Sequence, residues 1–282
     1  MSAHPGRTRA ALDVDEDAVR KASERLTAAA SHQVACAPIR DLIPPGDVIS
    51  AYAVQDSVNQ ARAAAGAYVV GRKIGLTAPA VQAQLGVDRP DFGVLFDDMD
   101  RSGGAGETAR VPLSDLMQPK VEAEVAFILG ADLADGDLGD AQVRAAVASA
   151  RPALEIVDSR IDGWDITFVD TVADNGSSGL FVLGEAELTL AEFQPVTAQM
   201  SMRRGEEVVS TGSGDACLGD PLKALAWLAR TARNVGDPLR AGQVILSGAL
   251  GPMVAVTGTS DFTADITGLG SVSVTFYEGD NT

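Results

Sequence analysis

Cysteine, histidine and aromatic residues are scarce in this chain, and each shortage removes a class of chemistry. Only Cys36 and Cys217 occur in 282 residues. They are far apart and outside any CxxC or Cys/His cluster, which argues against a disulfide framework and thiol-ligated zinc and for two reduced, packed thiols. The only histidines, His4 and His32, precede every other motif. Serine–histidine and cysteine–histidine hydrolase arrangements and 2-His-1-carboxylate iron sites therefore lack candidates. Acid–base chemistry must rest on Lys, Asp, Glu, Tyr or water. Basic residues are also few: 22 Lys plus Arg face 39 Asp plus Glu, a formal charge of -17. That balance disfavours nucleic acid and anionic membrane as partners and is compatible with a bound cation. No apolar run reaches the roughly 20 residues a bilayer span needs, and MSAHPGRTRA lacks the apolar centre of a signal peptide, so a cytoplasmic protein is expected. The glycines of GRKIG and SGALGP match neither GxxxxGK[ST] nor GxGxxG, which leaves nucleotide binding without a motif. Internal repeats are absent too.

What is present centres on residues 119–130, PKVEAEVAFILG. Val121, Ala123, Val125 and Phe127 alternate with Glu122, Glu124, Ala126 and Ile128, the period-two pattern of a strand. Glu122 and Glu124 then share a face. Two carboxylates so placed repel each other and are costly to bury unless a cation or donors neutralise them. A divalent metal would meet both needs, and oxygen-only ligands suit Mg²⁺ or Mn²⁺ better than zinc. Glu155, within the strand-like PALEIVDSR, supplies a third acid. The same ExE pattern also describes the wet face of an edge strand, and on the pattern alone both readings stand.

Along the chain, residues 1–12 read as a disordered leader and 13–31 as an amphipathic helix with acids at its start. After Pro44, Pro45 and Gly46, residues 48–65 resume as an alanine-rich helix. Residues 1–66 thus read as a leader and helical cap, and 67–282 as the domain that carries the candidate site residues. Residues 68–76, YVVGRKIGL, predict a strand in which Lys73 stands between two glycines that permit close backbone approach to a ligand. Thr77 is placed to cap a short helix over 78–85. In DRPDFGVLFDDM, Asp91 sits in a turn bracketed by apolar residues, a setting that would raise its pKa toward an acid–base range. Residues 101–109 read as a surface loop, 132–140 as an acidic loop and 140–149 as a short helix. Asn175, before the GSSG turn, has either an amide free for an anionic substrate or a left-handed, capping role. Short β-like runs follow, interrupted by one helix over 221–234. The pattern is α+β with a mixed or antiparallel, barrel-like core.

The order GRKIGLT, VQAQLGVDRPDFGVLFDDM, QPKVEAEVAFIL, PALEIVDSRI, FVDTVADN, CLGDPL and ILSGALGPMVAV closely resembles the 2-hydroxypentadienoate hydratases (2-keto-4-pentenoate hydratases) of aromatic meta-cleavage pathways. These belong to the larger fumarylacetoacetate-hydrolase-like group. The resemblance spans residues 51–276 and implies a mixed β-roll with Mg²⁺ or Mn²⁺ held by Glu122, Glu124 and Glu155. It implies acid–base work by Lys73 and Asp91, a homo-oligomer, and association with other pathway enzymes. It also selects the metal reading of ExE over the edge-strand reading. The rival readings are a metal-dependent 4-oxalocrotonate decarboxylase and, from a different class, a non-catalytic partner subunit of such enzymes. An acylpyruvate hydrolase is disfavoured because its water-activating histidine has no candidate beyond His32.

Overall fold

Two helices open the chain in the computed structural model, which describes residues 14–78, 82, 87–104 and 106–279. The leader and most of the short helix expected over 78–85 lie outside those residues. Helix α1 (Glu16–His32) starts where Asp15 accepts hydrogen bonds from the Asp17 and Ala18 N–H groups, and α2 (Val48–Ala64) is capped by Asp47. Such caps satisfy first-turn donors that have no partner within the helix. Both helices pack on a core of Ile39, Ile43, Ile161, Phe168, Val169 and Val172, so they share apolar surface with the middle of the chain.

The remaining elements are β1 (Val69–Gly75), β2 (Asp91–Phe96), β3 (Ala109–Pro112), β4 (Lys120–Leu129), α3 (Asp140–Ala146), β5 (Val147–Val157), α4 (Phe168–Ala173), β6 (Ser178–Leu183), β7 (Gln199–Arg204), β8 (Glu207–Ser213), α5 (Pro221–Val235), β9 (Val244–Leu246), β10 (Val254–Ala255), β11 (Ser260–Ile266) and β12 (Gly270–Tyr277). One sheet runs β2-β1-β9-β4-β5-β6 with β10 also on β4, and the other runs β3-β12-β11-β7-β8. Pairing is antiparallel except for β1 with β9 and β12 with β3, so both sheets are mixed.

The ExE strand is central. β4 pairs with β5 on one side and with β9 and β10 on the other, which removes the edge-strand reading. Val121, Ala123, Val125 and Phe127 point into the main core with Leu222, Leu225 and Leu228 of α5. Each fully buried Val, Leu or Phe there contributes about 1.5–3 kcal/mol. The opposite face carries Glu122 and Glu124 and continues into the apolar cluster of Ala126, Ala153, Phe181 and Leu246, which keeps that end of the acidic face dry.

Two boundaries differ from expectation. The helix expected over 140–149 stops at Ala146, because Val147 already pairs with Leu129 in the β4–β5 ladder. Asp91, expected in a turn, is instead the first residue of strand β2, opposite Gly75. A ladder with β1 is a tertiary contact, and local turn chemistry does not report it. Among the described residues, no helix is long and apolar enough to cross a membrane.

Candidate active site

Strand β1 carries Lys73 between β2 and β9, opposite Gly93 and Leu246. The lysine is 4% exposed and its ammonium stands 3.1 Å from Glu155 Oε1. Register explains why: Glu122 lies directly opposite Glu155, and Glu124 opposite Ala153, so the three glutamates share one face of β4 and β5. Glu124 Oε2 accepts a hydrogen bond from Gly248 N–H at 2.7 Å. Glu124 Oε1 and Glu155 Oε1 are buried without a hydrogen-bond partner, the latter having only its ion pair with Lys73. Among the described residues, no three acidic, histidine or cysteine side chains close into a ligand cage. The glutamates line a common face rather than converging.

Asp91 enters from β2 and accepts a hydrogen bond from Thr171 Oγ1 of α4 at 3.2 Å. Lys73 and Asp91 come together because Gly75 has no side chain. A Cβ at that position would stand 2.1 Å from Asp91 Oδ1 and 3.5 Å from Lys73 Nζ. Gly176 completes the sleeve. It has φ of +62°, and a Cβ there would meet Lys73 Cε at 2.8 Å, so glycine both adopts the left-handed backbone and clears the lysine stem.

The electrostatics follow from burial. Desolvation raises the pKa of Asp91, and the Lys73 ammonium partly offsets the rise. Glu122 is pushed up to about 7 by burial and then by Glu155, with Lys73 opposing. Glu124 is raised well above the usual carboxylate range by burial, Glu155 and Glu122. Burial disfavours the Lys73 ammonium, but Glu155, Asp91, Glu122 and Glu124 together outweigh it and keep the lysine protonated. Raised pKa values at Glu122 and Glu124 and the two orphaned oxygens of Glu124 and Glu155 fit carboxylates that a hard cation would neutralise.

Lys73, Asp91 and Glu122 open into a cavity of about 450 Å³. Thr77, Thr171, Thr211 and Ser213 complete its polar wall, and Val157, Leu250, Pro252 and Met253 line its apolar side. Thr171 and Gly248 escaped the sequence reading as individual residues, although they lie inside FVDTVADN and ILSGALGPMVAV. A buried hydroxyl beside an acid leaves no periodic signal. Asn175 is corrected by the structure. Its Oδ1 accepts from Val94 N–H at 2.8 Å and its Nδ2 donates to Val94 O at 2.9 Å, so the amide faces β2 rather than the cavity. Its φ of +57° is the left-handed alternative considered above. Cys217 is buried and free, with its thiol donating to Gly248 O at 2.9 Å.

Comparison with known proteins gives concordant results. The fumarylacetoacetate (FAA) hydrolase C-terminal family model matches residues 68–277. The 2-keto-4-pentenoate hydratase of Paraburkholderia phymatum is 49% identical over 94% of this chain and 99% of its own length. The 2-hydroxyhexa-2,4-dienoate hydratase of Comamonas testosteroni is 38% identical over 94% of this chain and 99% of its own. A 4-oxalocrotonate decarboxylase from Pseudomonas putida, complexed with magnesium and adipate, superposes with a TM-score of 0.88 at 32% identity, covering 93% of this chain and 98% of that one. The α+β architecture with its two mixed sheets agrees with that fold. The chain belongs to the fumarylacetoacetate hydrolase family, within its 2-keto-4-pentenoate hydratase branch.

Proposed function

We propose that this enzyme adds water to 2-hydroxypenta-2,4-dienoate or a close homologue, giving a 4-hydroxy-2-oxoalkanoate in meta-cleavage degradation of aromatic compounds. The observation that carries the reading is the buried meeting of Lys73 and Asp91 over Gly75, beside the three-glutamate face. Glu122, Glu124 and Glu155 would hold the divalent cation, Mg²⁺ or Mn²⁺. When bound, it acts as a Lewis acid that stabilises negative charge on the substrate 2-oxygen.

The chain's own groups move the protons. The dienol loses its 2-hydroxyl proton and gains one at C5, which gives the 2-oxo-3-enoate. Water then adds at C4 and a proton arrives at C3, for a net gain of one H₂O. Lys73, held as an ammonium by its acidic neighbours, delivers protons to carbon. Asp91, oriented by Thr171 and carrying a burial-raised pKa, accepts the proton of the attacking water. The apolar wall of Val157, Leu250 and Met253 receives the hydrocarbon end.

A decarboxylase acting on a diacid would need a cation for the second carboxylate. Lys73 is the sole Lys, Arg or His among the described lining residues, and residues 79–81 and 83–86, which lie outside the description, contain none in sequence. A second carboxylate would meet hydroxyls of Thr77, Thr211 and Ser213 and apolar groups but no second cation among the described lining residues, which favours the hydratase. The same reading carries a homo-oligomer, measurable by analytical ultracentrifugation. The deciding assay follows loss of dienoate ultraviolet absorbance with Mg²⁺ and with chelator, alongside CO₂ release from 4-oxalocrotonate. Hydration that stops with chelator is the expected result. CO₂ release without hydration would transfer the protein to the decarboxylases.

A further inference from the structure

We infer that Gln55, on helix α2, is a positioning residue for Asp91, which makes the N-terminal helical cap part of the acid–base apparatus. The inference rests on the reading of Asp91 given above.

β2 is the outer strand of its sheet, so the backbone groups on its far side have no neighbouring strand. Buried strand-edge groups must find other partners. Side-chain amides supply them. Asn175 brackets the N–H and C=O of Val94, and Gln55 Nε2 donates to Phe92 O at 2.9 Å. The same Nε2 also donates to Val172 O at 2.8 Å. Both acceptors are carbonyl oxygens, so the amide can present only its donor end, which fixes its orientation.

Phe92 and Val172 directly follow Asp91 and Thr171, whose side chains hydrogen-bond to each other. One buried amide, 3% exposed, thus ties together the two backbones that present the acid and its hydroxyl partner. Neighbouring residues of α2 reinforce the tie. Tyr52 stacks on Phe92 with ring centroids 4.9 Å apart, and Asn59 Nδ2 donates to Asn175 Oδ1 at 3.3 Å. Positions 52, 55 and 59 share one helical face. Burying an amide costs free energy unless its bonds are made, and here those bonds fall on the backbone that directly follows Asp91 and Thr171 and on the Asn175 amide.

The test is a double-mutant cycle in the metal-loaded enzyme. Asp91→Asn comes first: abolished turnover is expected, and wild-type turnover would remove the Asp91 reading and this inference with it. Given that loss, Gln55→Met keeps the side-chain volume and deletes the donor. It should lower kcat by about tenfold or more while KM and Mg²⁺ affinity change by less than about twofold. Thr171→Val should act similarly. The double variant should lose little more than the worse single variant, because both act through one carboxylate. Unchanged kcat in folded Gln55→Met overturns the inference, and so does a double-variant loss equal to the product of the single losses. If Gln55→Met does not fold, Gln55→Asn withdraws the same donor by one methylene and is held to the same split between kcat and KM.

Discussion

Gly75→Ala puts a methyl group where the two proton carriers meet, and its cost is calculable from the structure. The new Cβ would lie 2.1 Å from Asp91 Oδ1 and 3.1 Å from its Cγ. Moving that oxygen from 2.1 Å out to an ordinary contact of 3.4 Å requires a retreat of about 1.3 Å. Asp91 is 2% exposed and tied to Thr171, so the retreat breaks that bond and strains χ1. A hydrogen bond to a charged group contributes about 1.5–3 kcal/mol, and an off-rotamer side chain costs about 0.5–1.5 kcal/mol. Replacing glycine in a strand returns about 0.5–1 kcal/mol of chain entropy, leaving a net destabilisation of about 1–4 kcal/mol. The kinetic loss is larger, because displacing a reacting group by about 1 Å lowers the rate by about 10²-fold. Initial rates of dienoate loss, read with thermal melts, separate the two effects: kcat should fall about 100-fold in a protein that still folds. A folded Gly75→Ala enzyme with wild-type kcat would refute the claim that Lys73 and Asp91 act together across this glycine.

Three further outcomes are expected. Lys73→Ala should lower turnover by about 10²–10⁴-fold while calorimetric Mg²⁺ binding persists, because the lysine moves protons and is not a ligand. Glu122→Gln should weaken Mg²⁺ binding, and an unchanged metal dependence of the rate would count against the glutamate set. The Glu122 carboxyl titrates near 4.5 in the unfolded chain and at about 7 in the metal-free fold. Because its folded pKa is raised, its contribution to stability is full below about 4.5 and is lost as pH rises through about 7. Bound metal replaces the proton, so added Mg²⁺ should raise the melting temperature more at about pH 8 than at about pH 5.5. An equal shift at both pH values would remove Glu122 from the ligand set.

The sequence carried the identity of the chemistry further than it carried the geometry. ExE is legible because strand periodicity puts Glu122 and Glu124 on one face whatever the fold. Glu155 is a candidate third acid from its strand-like run, but it joins them only through the β4–β5 register, a tertiary fact that residue types near PALEIVDSR do not encode. Asp91 was noticed for its apolar bracket, but its place on a strand was not, since an Arg-Pro-Asp-Phe-Gly string has the composition of a turn and becomes β2 only through pairing with β1. Asn175 shows the opposite error. A conspicuous amide beside a glycine turn suggested a substrate contact, yet the unpaired edge of β2 at Val94 has the stronger claim on it. Gln55 was invisible as well. In an alanine-rich helix it reads as solvent-facing, and only the packed structure shows that its side chain is buried against two carbonyls.

The charge balance of the cavity links these parts. Asp91, Glu124 and Glu155 are each 2% exposed or less, Glu122 lines the wall, and Lys73 is the one ammonium among the described lining residues, with Lys120 acting more weakly on Glu122. Were all four acids ionised, the site would hold three uncompensated negative charges, and a 2-hydroxydienoate brings another. At an effective dielectric near 20, each like-charge pair about 4 Å apart costs about 4 kcal/mol. Burial raises the pKa values of Glu122, Glu124 and Asp91, which relieves this by favouring the protonated state. That state is wrong for the reaction, because a protonated Asp91 accepts nothing from water and a protonated Glu122 is a poor ligand. Held by Glu122, Glu124 and Glu155, a divalent cation would take the place of their protons, reduce the repulsion felt by Asp91 and make the cavity receptive to an anionic substrate. On the proposed function, dependence on metal would follow from the crowding of acids around Lys73, independently of any role the ion has on the substrate oxygen.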